Sequence, residues 1–147
     1  MCDYCGCREQ WPIDELGREH DRLTTLGRQV RAHIAASDTV GARKAFDVLV
    51  DLLDAHSAKE EAGLFAVLRA EGELVDDVAA LIAEHDAIAG IILTDDSGFA
   101  AKANEVLEHL VRHIDREEHD LYPATRLALS PDGWDRVKAT HELIGEC

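Results

Sequence analysis

Apolar residues recur at alternating steps of three and four along most of this chain, which is the spacing of one helix face. A β-strand alternates its side chains with a period of two, so a strand cannot place these residues on one side. The first such stretch starts near Pro12, a residue favoured in the first turn of a helix, and Asp14 suits the positive end of the helix dipole. Its apolar positions are Ile13, Leu16, Leu23, Val30 and Ile34.

Three further stretches show the same period and are separated by short turn signals. The second begins after Asp38 and runs to about Ala70, and the third ends in the turn residues 94–98. The fourth runs to Pro123, which kinks or ends it, and Pro131 opens a short fifth helix. We therefore predict an all-α fold, an up-down-up-down four-helix bundle with a short C-terminal extra helix. The predicted organisation is a cysteine-rich segment 1–11, the bundle 12–129 and a helical extension 130–147.

An internal repeat relates the second and fourth predicted helices. The segment LDAHSAKEEAGLF at 53–65 aligns without gaps with LVRHIDREEHDLY at 110–122. The two segments share a leucine, a histidine, two adjacent glutamates and a second leucine. A basic residue precedes each glutamate pair, and an aromatic residue ends each segment. Each helix therefore carries the same His-x-x-x-Glu spacing, which places both side chains on one helix face.

Six titratable residues fall on the apolar faces of the predicted helices. One histidine lies on the face of the first helix and one on that of the third, while the two His-x-x-x-Glu pairs continue the apolar rows of the second and fourth. The inward-facing set is His20, His56, Glu60, His85, His113 and Glu117. A count at about 1.5 Å per residue from the turns puts the first two histidines at one level and the other two a turn or two apart.

Such a set is costly to bury without partners. An unpaired carboxylate in a small aliphatic bundle costs on the order of several kcal/mol, and buried imidazoles also need hydrogen bonds. Imidazole and carboxylate ligands suit iron, manganese or zinc, and residues four apart on a helix deliver two ligands to one level. A lone buried histidine is more often an ordinary core residue, but the doubled pattern predicts a metal site between the four helices.

The other titratable side chains near these faces have less specific interpretations. His109, one turn before a predicted ligand, is a further ligand, a proton relay or a surface residue, with the surface favoured. Glu19 and Glu84 adjoin inward histidines and are candidates to hydrogen-bond a ligand, although a solvent-facing position is favoured. For Tyr122, packing at the helix end is favoured over a hydrogen bond near the site. The residues expected to face solvent are His33, His119, Glu61 and Glu118.

The order H-HxxxE-H-HxxxE, read at the six inward positions, resembles the pattern of the hemerythrin-like (HHE cation-binding) family over roughly residues 12–125. The resemblance implies a four-helix bundle that holds a non-haem di-iron centre. It also implies that the two glutamates and an oxo or hydroxo group bridge the two irons. The implied metal ligands are His20, His56, Glu60, His85, His113 and Glu117.

The pattern departs from that of the oxygen-carrying hemerythrins at two positions. Those proteins have a further histidine one turn after the third-helix ligand, where this chain has Ala89, and an aspartate five residues after the fourth-helix histidine, where Glu117 comes after four. Four imidazoles, two bridging carboxylates and a bridging oxygen leave open positions on a pair of octahedral ions. We therefore expect peroxide or dioxygen chemistry, most concretely catalase-like disproportionation, rather than reversible oxygen carriage. His109 would weaken this expectation if it filled an open position.

Two other functions stay open on the sequence. One is a non-catalytic protein that binds or senses iron, dioxygen or nitric oxide. The other is a structural metal site filled with zinc. Turnover of peroxide by iron-loaded protein separates the enzyme from both.

The four cysteines lie at the two ends of the chain. Cys2, Cys5 and Cys7 form a Cys-x-x-Cys-x-Cys motif, and Cys147 is the last residue. Cys-x-x-Cys is a common half of a zinc site, and Cys147 or His141 from the fifth helix would complete it. The alternatives are free thiols on a redox-labile tail, an iron–sulfur cluster, or a thiol pair that donates electrons to the metal centre.

Charge and hydropathy limit the partners of the chain. It has 15 Lys and Arg residues against 30 Asp and Glu residues, a formal net charge of −15, and such a surface repels nucleic acids and anionic membranes. We see no stretch long and apolar enough to span a bilayer and no secretory signal, so we expect a cytoplasmic protein with reduced cysteines. The expected partners are small molecules such as peroxide, dioxygen or nitric oxide.

Overall fold

The structure, a computed structural model, describes residues 10–94 and 98–145 of the 147-residue chain. No strand occurs within these residues, and the predicted all-α fold class is confirmed. The helices are α1 (Trp11–Ala35), α2 (Thr39–Glu60), α3 (Ala66–Glu71), α4 (Val75–Ile92), α5 (Phe99–Arg116), α6 (Tyr122–Ala128) and α7 (Pro131–Gly145).

Two turns of π-helix, whose backbone hydrogen bonds span five residues instead of four, interrupt helices that the sequence predicted as regular. The first π turn covers Glu61–Phe65 and joins α2 to α3, and the second covers Glu117–Leu121 and joins α5 to α6. The fourth helical segment does not end at Pro123. This residue lies in the first turn of α6, where the wider π turn precedes it and its missing amide hydrogen is tolerated, so helical structure continues to Ala128.

Local sequence signals set the ends of the helices. The side chain of Asp38 accepts a hydrogen bond of 2.9 Å from the amide of Gly41 and so caps α2, as the sequence indicated. Helix α3 ends at Gly72, whose φ of 74° lies in the left-handed region that residues with a side chain avoid.

The core consists of two apolar clusters with a layer of polar side chains between them. Helices α1 and α4 begin in the first cluster and end in the second, while α2 and α5, with their continuations, run from the second to the first. This alternation supports the up-down-up-down order, which stays a prediction. The residues that flank the layer are Leu16, Leu64, Leu81 and Leu121 in the first cluster, and Leu23, Leu53, Ile88 and Leu110 in the second.

The C-terminal helix α7 packs against the first π turn and α3, with Trp134 and Val137 in the first apolar cluster. Gly63 in that π turn permits the contact, because a Cβ there would lie 3.3 Å from Cδ2 of His141. The described part of the predicted extension thus lies on the bundle. The boundaries 1–11, 12–129 and 130–147 stay a proposal. Within residues 10–94 and 98–145, no helix has both the length and the apolarity that crossing a membrane requires.

Replacement of Gly72 by alanine is expected to lower the free energy of unfolding by about 1 kcal/mol, because a Cβ is strained in the left-handed region. Gly90 is the matched control, since it lies inside α4 and an added Cβ meets nothing within 4 Å there. Gly90→Ala should therefore raise the free energy of unfolding by about 0.5–1 kcal/mol. Urea unfolding followed by circular dichroism measures both changes, and a stabilised Gly72→Ala would contradict the assigned end of α3.

Candidate metal centre

Six side chains converge in the polar layer between the two apolar clusters. They form two groups of four donors, and within each group the candidate ligand atoms all lie within 4.8 Å of one another. Both groups share the same two glutamates, which is the arrangement that two adjacent cations with two bridging carboxylates require. The structure brings together every residue of the predicted ligand set. The first group is His20, His56, Glu60 and Glu117, and the second is Glu60, His85, His113 and Glu117.

The histidines of each group lie at one level of the bundle. The Nε2 atoms of His20 and His56 are 3.1 Å apart, and those of His85 and His113 are 3.0 Å apart. The expectation that the second pair lies a turn or two apart was wrong. The count assumed that the third and fourth helices meet at the turn, whereas α5 begins farther from the polar layer than α4 ends.

A carboxylate holds each of the four imidazoles on the side away from the centre. An ionised carboxylate can only accept a hydrogen bond, so the Nδ1 atom beside it carries the hydrogen and Nε2 keeps its lone pair. All four Nε2 lone pairs are thus available at the centre. The hydrogen-bonded pairs, with Nδ1–oxygen distances of 2.7 to 2.9 Å, are His20–Glu118, His56–Glu19, His85–Glu61 and His113–Glu84.

This arrangement is stable only when positive charge lies between the donors. Two Nε2 lone pairs face each other in each group, and Glu60 and Glu117 are 0% exposed. Both oxygens of Glu117 and Oε2 of Glu60 have no hydrogen-bond partner among the described residues. Buried polar atoms left in this way are costly, and a pair of cations removes the cost. Imidazole with carboxylate is a donor set that iron, manganese and zinc accept, so these residues fit a metal pair.

The expectation that the four outer glutamates face solvent was wrong, because each of them hydrogen-bonds an imidazole. Glu118 is buried, Glu19 and Glu84 are half-buried, and Glu61 accepts a hydrogen bond from His85 although its side chain is 43% exposed. Glu61 is the first residue of one π turn and Glu118 the second residue of the other, and the wider turn directs their side chains differently from a regular α-helix. Two sequence signals were available: a Glu-His dipeptide in the first and third helices, and the second glutamate of each repeated pair.

A basic side chain in each half of the centre holds one of these carboxylates. Nζ of Lys59 makes ion pairs with Glu19 and Glu15, and the guanidinium of Arg116 lies 2.5 Å from Glu84. Lys59 and Arg116 occupy equivalent positions of the internal repeat, so the repeat encodes the ligands and also the cation that fixes a carboxylate behind them. The two halves differ in burial, since the side chain of Lys59 is 10% exposed and that of Arg116 is 49% exposed.

In the absence of metal, the carboxylates draw protons onto the imidazoles. Burial lowers the pKa of His56, but Glu60 and Glu19 outweigh it and raise this pKa to about 10. Burial likewise lowers the pKa of His113, and Glu117 and other carboxylates raise it to about 9. Burial also raises the pKa of Glu60, but the surrounding imidazoles hold it well below its usual value. Protons and metal ions therefore compete for the same positions.

Two aromatic rings cover the centre from equivalent positions of the repeat. The ring of Tyr122 is stacked on His20 with 5.7 Å between the centroids, and the ring of Phe65 is stacked on His85 with 5.8 Å. The hydroxyl of Tyr122 also donates a hydrogen bond of 2.8 Å to Oε1 of Glu60. Burial raises the pKa of this hydroxyl well above its usual value. The favoured expectation, packing at a helix end without a hydrogen bond near the site, was wrong, because Tyr122 hydrogen-bonds Glu60 and helical structure continues through α6.

Three of the four remaining histidines lie in the bundle, outside the two donor groups. His109 is half-buried on α5 and belongs to neither group, so its role as a further ligand or relay stays a prediction. His33 lies 2.9 Å from Asp38, and His119 is exposed on the second π turn.

The predicted zinc site at the chain ends falls mostly outside the described residues. Its remaining member, His141, is buried on α7, with Nδ1 3.2 Å from a carboxylate oxygen of Glu15. Its Nε2 has no hydrogen-bond partner in the part of the chain that the structure describes. The zinc site stays a prediction. The residues that the structure does not describe are Cys2, Cys5, Cys7 and Cys147.

Two cavities approach the centre from different sides. One of about 470 Å³ lies between α1 and α5 and is lined in part by His20 and Glu118. The other, of about 230 Å³, lies between α2 and α4 and is lined in part by His85, Glu61 and Ala89. Each donor group thus has a ligand histidine at the wall of a cavity that a small molecule can enter.

A comparison with known protein families agrees with this architecture. A family model for the hemerythrin HHE cation-binding domain covers residues 12–125 of the chain. The chain belongs to the hemerythrin family. No curated protein and no solved structure gives a significant match. The hemerythrin match ends before α7, so this helix lies outside the matched range.

In this hemerythrin-like protein, Glu118→Gln is expected to weaken metal binding about 10- to 100-fold, because it removes the negative charge that holds His20 in its ligand orientation. Glu73→Gln is the control, since Glu73 is exposed between α3 and α4. Competition with a coloured chelator measures both affinities. An unchanged affinity in Glu118→Gln would show that the carboxylate behind His20 does not support the centre.

Metal-free protein is expected to lose stability as the pH rises from about 7 to 10. Folded His56 and His113 keep their protons up to pKa values of about 10 and 9, whereas unfolded imidazoles release theirs near 6.5. Each proton held only by the folded state lowers the free energy of unfolding by about 1.4 kcal/mol per pH unit in this window. Urea titrations at several pH values measure the slope. Metal-loaded protein, in which the metal replaces these protons, is the control, and a flat profile without metal would contradict the expectation.

Proposed function

We propose that this protein holds a di-iron centre that reacts with hydrogen peroxide or dioxygen, most concretely by catalase-like disproportionation of peroxide. A bridging oxo or hydroxo group is part of the proposed cofactor. The residues proposed to hold the two irons are His20, His56, Glu60, His85, His113 and Glu117.

The composition of the two donor groups carries this proposal. Each group contains two imidazoles and the two shared carboxylates, and no further described His, Cys, Asp or Glu side chain joins either one. An octahedral ion has more positions than these donors fill, so both metal positions keep room for a small ligand. Ala89, which stands where oxygen carriers have a further histidine, lines the cavity beside His85 instead.

The proposed reaction balances without an external electron donor. Two molecules of hydrogen peroxide give one dioxygen and two waters, because one molecule is oxidised while the other is reduced. When bound, a pair of iron ions supplies the redox equivalents and the Lewis acidity for this exchange.

The residues of the chain bind the metals, orient the ligands and exclude water. The four outer carboxylates fix each imidazole with its Nε2 lone pair at the centre and make it a stronger ligand. The apolar clusters on both sides of the layer keep bulk water out. The two cavities give peroxide, which is small and uncharged, a route to the walls formed by His20 and His85.

Iron-loaded protein is expected to evolve oxygen from hydrogen peroxide, and Glu117→Ala is expected to lower the rate more than about 100-fold, because it removes a carboxylate shared by both donor groups. Glu105→Ala is the matched control, since Glu105 is an exposed glutamate on α5, the helix that leads to Glu117, and should leave the rate unchanged. An oxygen electrode measures the rate, and elemental analysis of the same samples measures the iron content.

Two results would contradict the proposed reaction. Wild-type protein that binds two irons, forms a stable complex with dioxygen or nitric oxide and evolves no oxygen is instead a binding or sensing protein. Protein that retains zinc and shows no redox change has a structural metal site.

A further inference from the structure

The two segments of the internal repeat supply the same ligands to the metal centre but end in different aromatic residues. The internal repeat ends with Phe65 in the first half and with Tyr122 in the second. Each ring is stacked on a ligand imidazole of the other half, Phe65 on His85 and Tyr122 on His20. The hydroxyl of Tyr122 therefore has no counterpart in the first half of the repeat.

The shared carboxylate of Glu117 directs one oxygen to each donor group. Its Oε2 lies 3.0 Å from Nε2 of His20, and its Oε1 lies 2.9 Å from Nε2 of His113. Neither oxygen has a hydrogen-bond partner among the described residues, so both are available to cations. Glu117 thus has the geometry of a two-oxygen bridge.

The shared carboxylate of Glu60 is arranged differently. Its Oε2 lies near both groups, 3.5 Å from Nε2 of His56 and 3.3 Å from Nε2 of His85. Its Oε1 instead accepts the hydrogen bond from the Tyr122 hydroxyl at 2.8 Å. A carboxylate has no hydrogen to give, so the phenol is the donor, and it competes with a metal for Oε1.

We propose that Tyr122 is a positioning residue that keeps Glu60 bound to the metals through Oε2 alone. The inference rests on the metal pair proposed above. Because Oε1 is held by the phenol, one coordination position that it would fill stays open for a small anion or for peroxide. The ring of Tyr122 lies on His20, and His20 also lines the larger cavity.

The test uses the full chain loaded with cobalt(II), whose visible absorption reports its ligands, and azide as the small anion. Wild-type protein is expected to bind two cobalt ions and one azide. Tyr122→Phe keeps the ring on His20 and frees Oε1, which then fills the open position as an intramolecular ligand. This variant is expected to bind the same amount of cobalt and to bind azide at least about tenfold more weakly. A merely structural role for the hydroxyl would instead lower cobalt binding.

Thr125→Val is the matched control. Thr125 is fully buried one turn after Tyr122, and its hydroxyl donates to the backbone carbonyl of Leu121 rather than to the centre. Its loss removes a buried hydroxyl without changing Glu60, so the azide affinity should stay within about twofold of wild type.

The possible outcomes separate the inference from the proposed function. Two cobalt ions with unchanged or tighter azide binding in Tyr122→Phe would overturn the role of Tyr122 and leave the metal pair intact. Wild-type protein that binds fewer than two cobalt ions would contradict the metal pair and the inference together. Wild-type protein that binds two cobalt ions and no azide would overturn the inference even if the variant did not fold.

Discussion

The interior of this protein is stable only when positive charge lies between two pairs of facing imidazole nitrogens. The polar layer holds four imidazoles whose Nδ1 hydrogens are committed to outer carboxylates, and two further carboxylates that are fully buried. Leucine-rich clusters lie on both sides of the layer, and Tyr122 of the first cluster donates a hydrogen bond to it. The proposed cation pair would therefore supply the chemistry and also neutralise the core, so that stability and function would depend on the same event.

The internal repeat explains how one layer is built from two half-centres that need each other. Within the first half, Glu19 holds His56, while Glu61 of the same half reaches His85 of the other half. The second half repeats both contacts in the opposite direction, and Glu60 and Glu117 belong to both donor groups. Neither half can order its imidazoles alone, which couples the packing of α1 and α2 to that of α4 and α5.

The sequence was sufficient to predict the all-helical fold and the convergence of the six central residues, because both follow from the phase of side chains on a regular helix. It was insufficient where the helix is not regular. Glu61 and Glu118 follow their inward neighbours by one residue, and a period of 3.6 turns them toward solvent, whereas the π turns direct them to His85 and His20. The count of residues from the turn also misplaced His113 along the bundle axis, because the level of His113 depends on where α5 starts and not on local spacing.

The support behind the ligands is less symmetric than the ligands themselves. In the first half, Lys59 is buried between Glu19 and Glu15, and Glu15 also contacts His141 on α7. In the second half, the equivalent Arg116 is half exposed and makes an ion pair with Glu84. An ordered ligand loses less conformational freedom when it binds a metal. Helix α7, which lies outside the matched range, therefore helps to order Glu19 through Glu15 and Lys59. The carboxylate behind His56 is thus more strongly fixed than the carboxylate behind His113, although both halves have the same sequence pattern.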